Sequence, residues 1–118
     1  MSFVEKLLSQ KCEEFKSILG TPVGGTIKCR DGWFKREYTN LGSSDTQPVK
    51  ITGAVYANVD IGVFVVYGAI YARYAALNVE KGLLGFPKTD ESAAGSGGRY
   101  NHFEKGSIYW TQATGAHP

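Results

Sequence analysis

Two cysteines in 118 residues are too few for a disulfide-built scaffold. Cys12 and Cys29 allow one bridge at most and do not stand at zinc-ligand spacing, so two reduced, partly buried thiols are expected. Long apolar runs are also missing. The most apolar stretch, Ile61 to Ala76, is interrupted by Gly62, Gly68 and Arg73 and is too short and polar to span a bilayer. Neither sign of charge dominates: 13 Lys and Arg against 11 Asp and Glu leave +2, which implies neither nucleic acid nor an acidic membrane surface as partner. No secretory leader is expected either, because Met1 to Gly20 mixes Glu5, Lys6, Lys11, Glu13, Glu14 and Lys16 among its apolar residues. The expectation is a cytoplasmic chain, or one secreted by a non-classical route.

Catalytic signatures are equally scarce. There is no Gly-X-Ser-X-Gly elbow, and His102 and His117 do not combine with Asp90 or Glu91 at the spacing of a strong metal motif. Asp90 and Glu91 are neighbours in sequence, whereas a glycosidase needs two carboxyls held across a sugar. The reading is therefore of a binding protein, not an enzyme, with no metal and no cofactor; the alternatives are a structural attachment module that binds no free sugar, and a glycan or ester hydrolase using Asp90 or Glu91 and a histidine.

What the chain has is glycine and aromatics. Fifteen Gly and 13% Phe, Trp and Tyr favour turns, hairpins and aromatic-lined surfaces. Phe3, Leu7, Leu8, Cys12 and Phe15 recur at helical spacing and predict a helix from about Phe3 to Ser17, capped by Ser2 and stopped by Leu19-Gly20-Thr21-Pro22. Gly24 to Tyr38 reads as a hairpin turning at Asp31-Gly32. After a polar stretch from Asn40 to Gln47, Val49–Ala57 and Val63–Tyr67 form a second strand pair. Ile70, Tyr74 and Leu77 share a helical face over Gly68–Leu77. Ser92 to Gly98 is a connector, and a last strand pair runs from about Tyr100 to Trp110 before folding at Gln112 to Gly115.

These parts occur twice in the same order. Leu8, Cys12 and Phe15 match Ile70, Tyr74 and Leu77; Leu19, Gly20 and Pro22 match Leu84, Gly85 and Pro87; Gly53, Tyr56 and Gly62 match Gly106, Tyr109 and Gly115. The offsets are 62, 65 and 53, so the second copy loses twelve residues between its Leu-Gly-X-Pro and its Tyr strand, a change that belongs in a loop. The architecture expected is a single α+β domain, 1–118, of two pseudo-repeats, 3–66 and 67–118. Shared anchors specify the fold; residues found in one copy only are freer to serve a ligand.

Leu84-Gly85-Phe86-Pro87, Thr89-Asp90-Glu91, Gly98 to Gly106, Ile108-Tyr109-Trp110 and Ala113 to His117 resemble the LGFP repeat. The first copy is a divergent match: it reads Leu19-Gly20-Thr21-Pro22, lacks the Asp-Glu pair, and has Ala57 opposite Trp110 and Phe64 opposite His117. The resemblance implies a module that attaches to cell-wall glycans, with glycans or cell-wall polysaccharide as partners.

A sugar site needs an aromatic face and planar polar groups that read hydroxyls. Asp90, Glu91, Arg99, Tyr100, Asn101, His102, Trp110, Gln112 and His117 supply that mixture. Tyr109 and Trp110 point to opposite faces of a strand. Tyr109, shared with Tyr56, is expected in the core, and Trp110 as the exposed platform. A shallow lectin of this kind gains from multivalency, so a homodimer is expected.

Overall fold

The computed structural model describes residues 3–40, 51–90, 92–93 and 97–117. The expected cap at Ser2, most of the polar stretch Asn40–Gln47, the strand start near Val49, and Glu91 lie outside these residues.

The helical periodicity at the start of the chain produces α1, Phe3–Glu14, which buries Leu8 completely. The helix does not continue unbroken to Ser17. Phe15 leaves helical geometry at φ −111° and ψ 20°, and the chain re-enters one turn, α2, Lys16–Leu19, whose buried residue is Leu19. Gly20 then turns the chain at φ 83°, where an added Cβ would meet the Thr39 carbonyl oxygen at 2.2 Å. Only glycine fits so close to a backbone carbonyl at a positive φ.

The strands follow in order as β1 Thr21–Lys28, β2 Trp33–Thr39, β3 Gly53–Asn58 and β4 Gly62–Tyr67, then β5 Ser92–Ala93, β6 Arg99–Phe103, β7 Gly106–Thr111 and β8 Gly115–His117. Between the two sets lie α3, Gly68–Ala76, and a 3-10 turn, Val79–Lys81. Among the described residues this makes an α+β fold with three helices and two four-stranded antiparallel sheets, each in sequential order. The expected turn between β1 and β2 is present, with Asp31 at φ 57° and Gly32 at φ 81°. β5 and β8 are additions to the predicted set. β5 arises inside the expected connector because Ser92 and Ala93 pair with Tyr100 and Arg99.

The chain divides into two compact units, residues 1–64 and 65–118, so the division falls within β4. In the first unit α1 packs on β3 and β2, and Arg36 of β2 donates from Nη2 to Glu5 Oε2 of α1 at 2.6 Å. Its core contains Leu8, Leu19, Trp33, Tyr38 and the whole of Ala54–Ala57. Cys12 and Cys29 are both free thiols, as expected. In the second unit α3 packs on β7 and β8, and the core contains Val65, Val66, Ile70, Tyr71, Tyr74, Leu84, Phe86, Phe103 and Ile108.

The two units repeat one another down to strand register. Pro22 pairs with Tyr38, and Pro87 forms an isolated bridge with Phe103. Lys35 lies opposite Tyr56, and Tyr100 lies opposite Tyr109. Tyr38 pairs with Gly53, fifteen positions on, whereas Phe103 pairs with Gly106, three positions on. The twelve-residue difference therefore sits between the second and third strands of each unit. In the second unit the connection has shrunk to the tight turn Glu104–Lys105.

Candidate functional site

The stretch 84–90 runs alongside β6 and holds it in place. Glu104 N–H donates to Phe86 O at 2.9 Å, Lys105 N–H to Leu84 O at 3.0 Å, and Lys88 N–H to His102 O at 2.8 Å. Glu104 Oε1 accepts the Phe86 N–H at 3.1 Å, and the Tyr74 hydroxyl donates to Gly85 O. Leu84 and Phe86 are buried. Leu-Gly-Phe-Pro is thus a structural clip, in agreement with the expectation that shared anchors specify the fold.

Thr89 continues the clip: its Oγ1 accepts the His102 N–H at 3.0 Å, and its carbonyl accepts from Asn101 Nδ2 at 2.8 Å. Asp90 Oδ1 accepts the Val65 N–H at 2.8 Å, while Asn101 Nδ2 also donates to Val65 O at 3.5 Å. Asp90 and Asn101 therefore satisfy the backbone of β4 from both sides of one residue. Asn101 is fully buried, and among the described residues its Oδ1 has no hydrogen-bond partner. This corrects the placement of Asn101 as a ligand-reading group. A buried amide whose donors are taken by two main-chain carbonyls is committed to the fold.

Strand alternation divides the remaining residues between two faces. On one face of the second sheet lie Arg99, Asn101, Phe103, Ile108 and Trp110, and on the other Tyr100, His102, Ser107 and Tyr109. The expected site residues therefore divide between two surfaces, with Trp110 and Tyr100 on opposite sides.

On the first face Trp110 is half-buried and lines a shallow pocket of about 200 Å3 with Arg99, Ala69 and Ile70. Arg99 Nη2 donates to the Tyr67 hydroxyl at 3.2 Å. On the second face Tyr109 is 43% exposed. Tyr109, expected in the core, is thus exposed, and Trp110, expected as the exposed platform, is half-buried. Tyr56, the equivalent of Tyr109, is indeed fully buried. The repeat preserves the position in the strand but not the cover over it, and α3 takes Trp110 on its side of the sheet.

The second face is an aromatic and polar patch. The Tyr100 and Tyr109 rings lie 6.1 Å apart, inclined at 32°, and the His102 ring lies 4.8 Å from that of Tyr100. His102 Nδ1 and Ser107 Oγ share a 2.6 Å hydrogen bond between directly opposite residues. That bond holds the imidazole beside the Tyr100 ring. The first unit has no such patch at the matching positions. There Lys35 and Tyr56 are buried, and Lys35 Nζ pairs with Glu37 Oε2 at 3.4 Å.

Gln112 is exposed at the turn between β7 and β8, where Thr111 Oγ1 accepts the Thr114 N–H at 3.1 Å. His117 occupies the register position opposite Tyr109. Of the expected residues, Tyr100 and His102 are brought together. Arg99 and Trp110 meet on the far face, Asp90 and Asn101 are structural, and Glu91 lies outside the described residues. Ser107 and Tyr109 were not foreseen as site residues. Their signal was the alternation of Ser107, Tyr109 and Thr111 against Ile108 and Trp110. Among the described residues no cluster of His, Cys, Asp or Glu is arranged to hold a metal ion.

The family model of the LGFP repeat matches the chain twice, over residues 19–82 and 84–118. No curated protein matches it.

Proposed function

Because the chain belongs to the LGFP repeat family, matched over residues 19–82 and 84–118, we propose that it is a wall-associated repeat module that binds glycan on the open face of its second sheet. The observation that carries this reading is the exposed Tyr109 ring beside Tyr100, next to the hydrogen-bonded His102–Ser107 pair. Aromatic faces accept the C–H-rich faces of sugar rings, and polar groups held in place by neighbours read hydroxyls at small entropic cost. Both kinds of group stand here on paired strands, which keep them in position before a ligand arrives.

A site this shallow gives weak affinity for each contact. Two copies of the chain on one polymer, as in a homodimer, would raise the apparent affinity by the local concentration of the second site.

The test is co-sedimentation with purified wall polysaccharide. The folded protein should pellet with the polymer, and Tyr109→Ala should lose most of that binding while its circular dichroism stays that of the parent. Unchanged sedimentation of the folded variant would move the site elsewhere.

A further inference from the structure

The open face has an order that bears on the shape of the glycan. Ser92 of β5 lies opposite Tyr100 of β6, Tyr100 opposite Tyr109 of β7, and Tyr109 opposite residue 117 of β8. One row of register positions thus crosses the sheet at right angles to its strands, with the two tyrosine rings in the middle and a serine at one end. Beside it runs a second, polar row, His102 opposite Ser107. Neighbouring strands are about 4.8 Å apart, and the two tyrosine centroids are separated by 6.1 Å. That separation is close to the length of one pyranose unit in an extended chain. A single sugar would cover one ring and leave the other bare.

Resting on the glycan-binding reading above, we infer that this face is a track for an internal run of an extended, ribbon-like polysaccharide lying across the strands, in which consecutive sugars stack on Tyr100 and Tyr109 while the His102–Ser107 pair reads hydroxyls along one edge. The chemistry selected is a β-1,4-linked pyranose chain, whose successive rings keep their flat faces exposed along a nearly straight axis. A coiled α-1,4-linked chain turns its rings away and engages one tyrosine at a time.

Calorimetry with β-1,4-linked N-acetylglucosamine oligomers of one to four residues tests the inference, with α-1,4-linked glucose oligomers of the same lengths as the shape control. Affinity in the β-series should rise on the order of tenfold from monomer to dimer, as the second ring gains its stacking partner, then level off by the tetramer. The α-series should stay flat. Tyr109→Ala should remove the step from monomer to dimer, and Ser107→Ala should weaken every length of the β-series by the same factor without changing its steepness.

A monomer that binds as tightly as the tetramer would overturn the track and leave glycan binding intact. Equal rises in the α- and β-series would overturn the ribbon shape. Binding of intact wall polymer with no binding of any β-oligomer would overturn the inference alone, whereas absence of binding to polymer and oligomers alike would overturn it together with the reading on which it rests.

Discussion

The Tyr74 hydroxyl donates a 2.5 Å hydrogen bond to the carbonyl of Gly85, tying the middle of α3 to the turn of the Leu-Gly-Phe-Pro clip. Both groups are buried, and the Tyr74 ring also stacks on Phe103 with centroids 4.5 Å apart. The helix, the clip and β6 therefore meet around one side chain.

Tyr74→Phe keeps the ring and removes the donor, leaving a main-chain carbonyl buried without that partner. It should cost about 1–3 kcal/mol of stability. Gly85→Ala should cost at least about 1–2 kcal/mol for the left-handed backbone alone. Its Cβ would also stand 2.5 Å from Glu104 Oε1, disturbing the carboxylate that accepts the Phe86 N–H. Urea unfolding midpoints measure both. Neither variant, while folded, should bind polysaccharide less tightly than the parent.

Trp110 and Tyr109 should part in opposite directions. Trp110→Ala removes a large ring from the α3 side of the sheet, next to Ile70, and should lower stability by about 2 kcal/mol, less than for a fully buried tryptophan. Glycan binding by the fraction that remains folded should change less than twofold. Tyr109→Ala should show the reverse, a small stability change and a large loss of binding. Thermal melts run alongside sedimentation with polysaccharide separate the two.

The pH dependence of the first unit should report on Tyr38. Its hydroxyl is fully buried and among the described residues has no partner in hydrogen-bonding geometry, although the Cys12 and Arg36 side chains stand near it. Burial pushes it up from 10.0 to about 12; the nearby Cys12 adds to the rise and Arg36 opposes it. Between these values the folded chain holds a proton that the unfolded chain has released. Its contribution is thus fully present below pH 10 and is lost as pH rises through 12. The loss amounts to about 2–3 kcal/mol. Urea midpoints from pH 9 to 12 should fall more steeply for the parent than for Tyr38→Phe, and equal slopes would contradict the assignment.

Much of this architecture could be read from residue spacing. The apolar period of α1, the Asp31-Gly32 turn and the doubled Leu-Gly-X-Pro each follow from local rules, and the unequal offsets of the shared anchors assign the twelve-residue difference to a loop. The sidedness of the second sheet was another matter. Alternation says that Tyr109 and Trp110 face opposite ways, but which face α3 covers is settled by packing between elements distant in sequence. Asp90 looked like a group waiting for a ligand because its partner, the Val65 N–H, lies twenty-five residues earlier. Asn101 misled for the same reason, being bonded to Thr89 and Val65. β5 went unseen because two residues beside a glycine-rich connector have no periodicity of their own; Tyr100 and Arg99 supply the partner.

The Tyr74–Gly85 bond has one more consequence, for how such chains are cut and joined. The matches to the family model end at residue 82 and resume at 84, so α3 is counted with the earlier copy. In three dimensions the same helix belongs to the later copy, whose compact unit begins at Val65. The repeat of sequence and the repeat of packing are out of phase by one helix, and α1, which precedes the first match, takes the corresponding role for the first copy. A fragment started at Leu84 would carry a clip that has lost the Tyr74 hydroxyl bonded to its Gly85 carbonyl. Modules for grafting should be taken from Val65 onward, each bringing the helix written before its own signature.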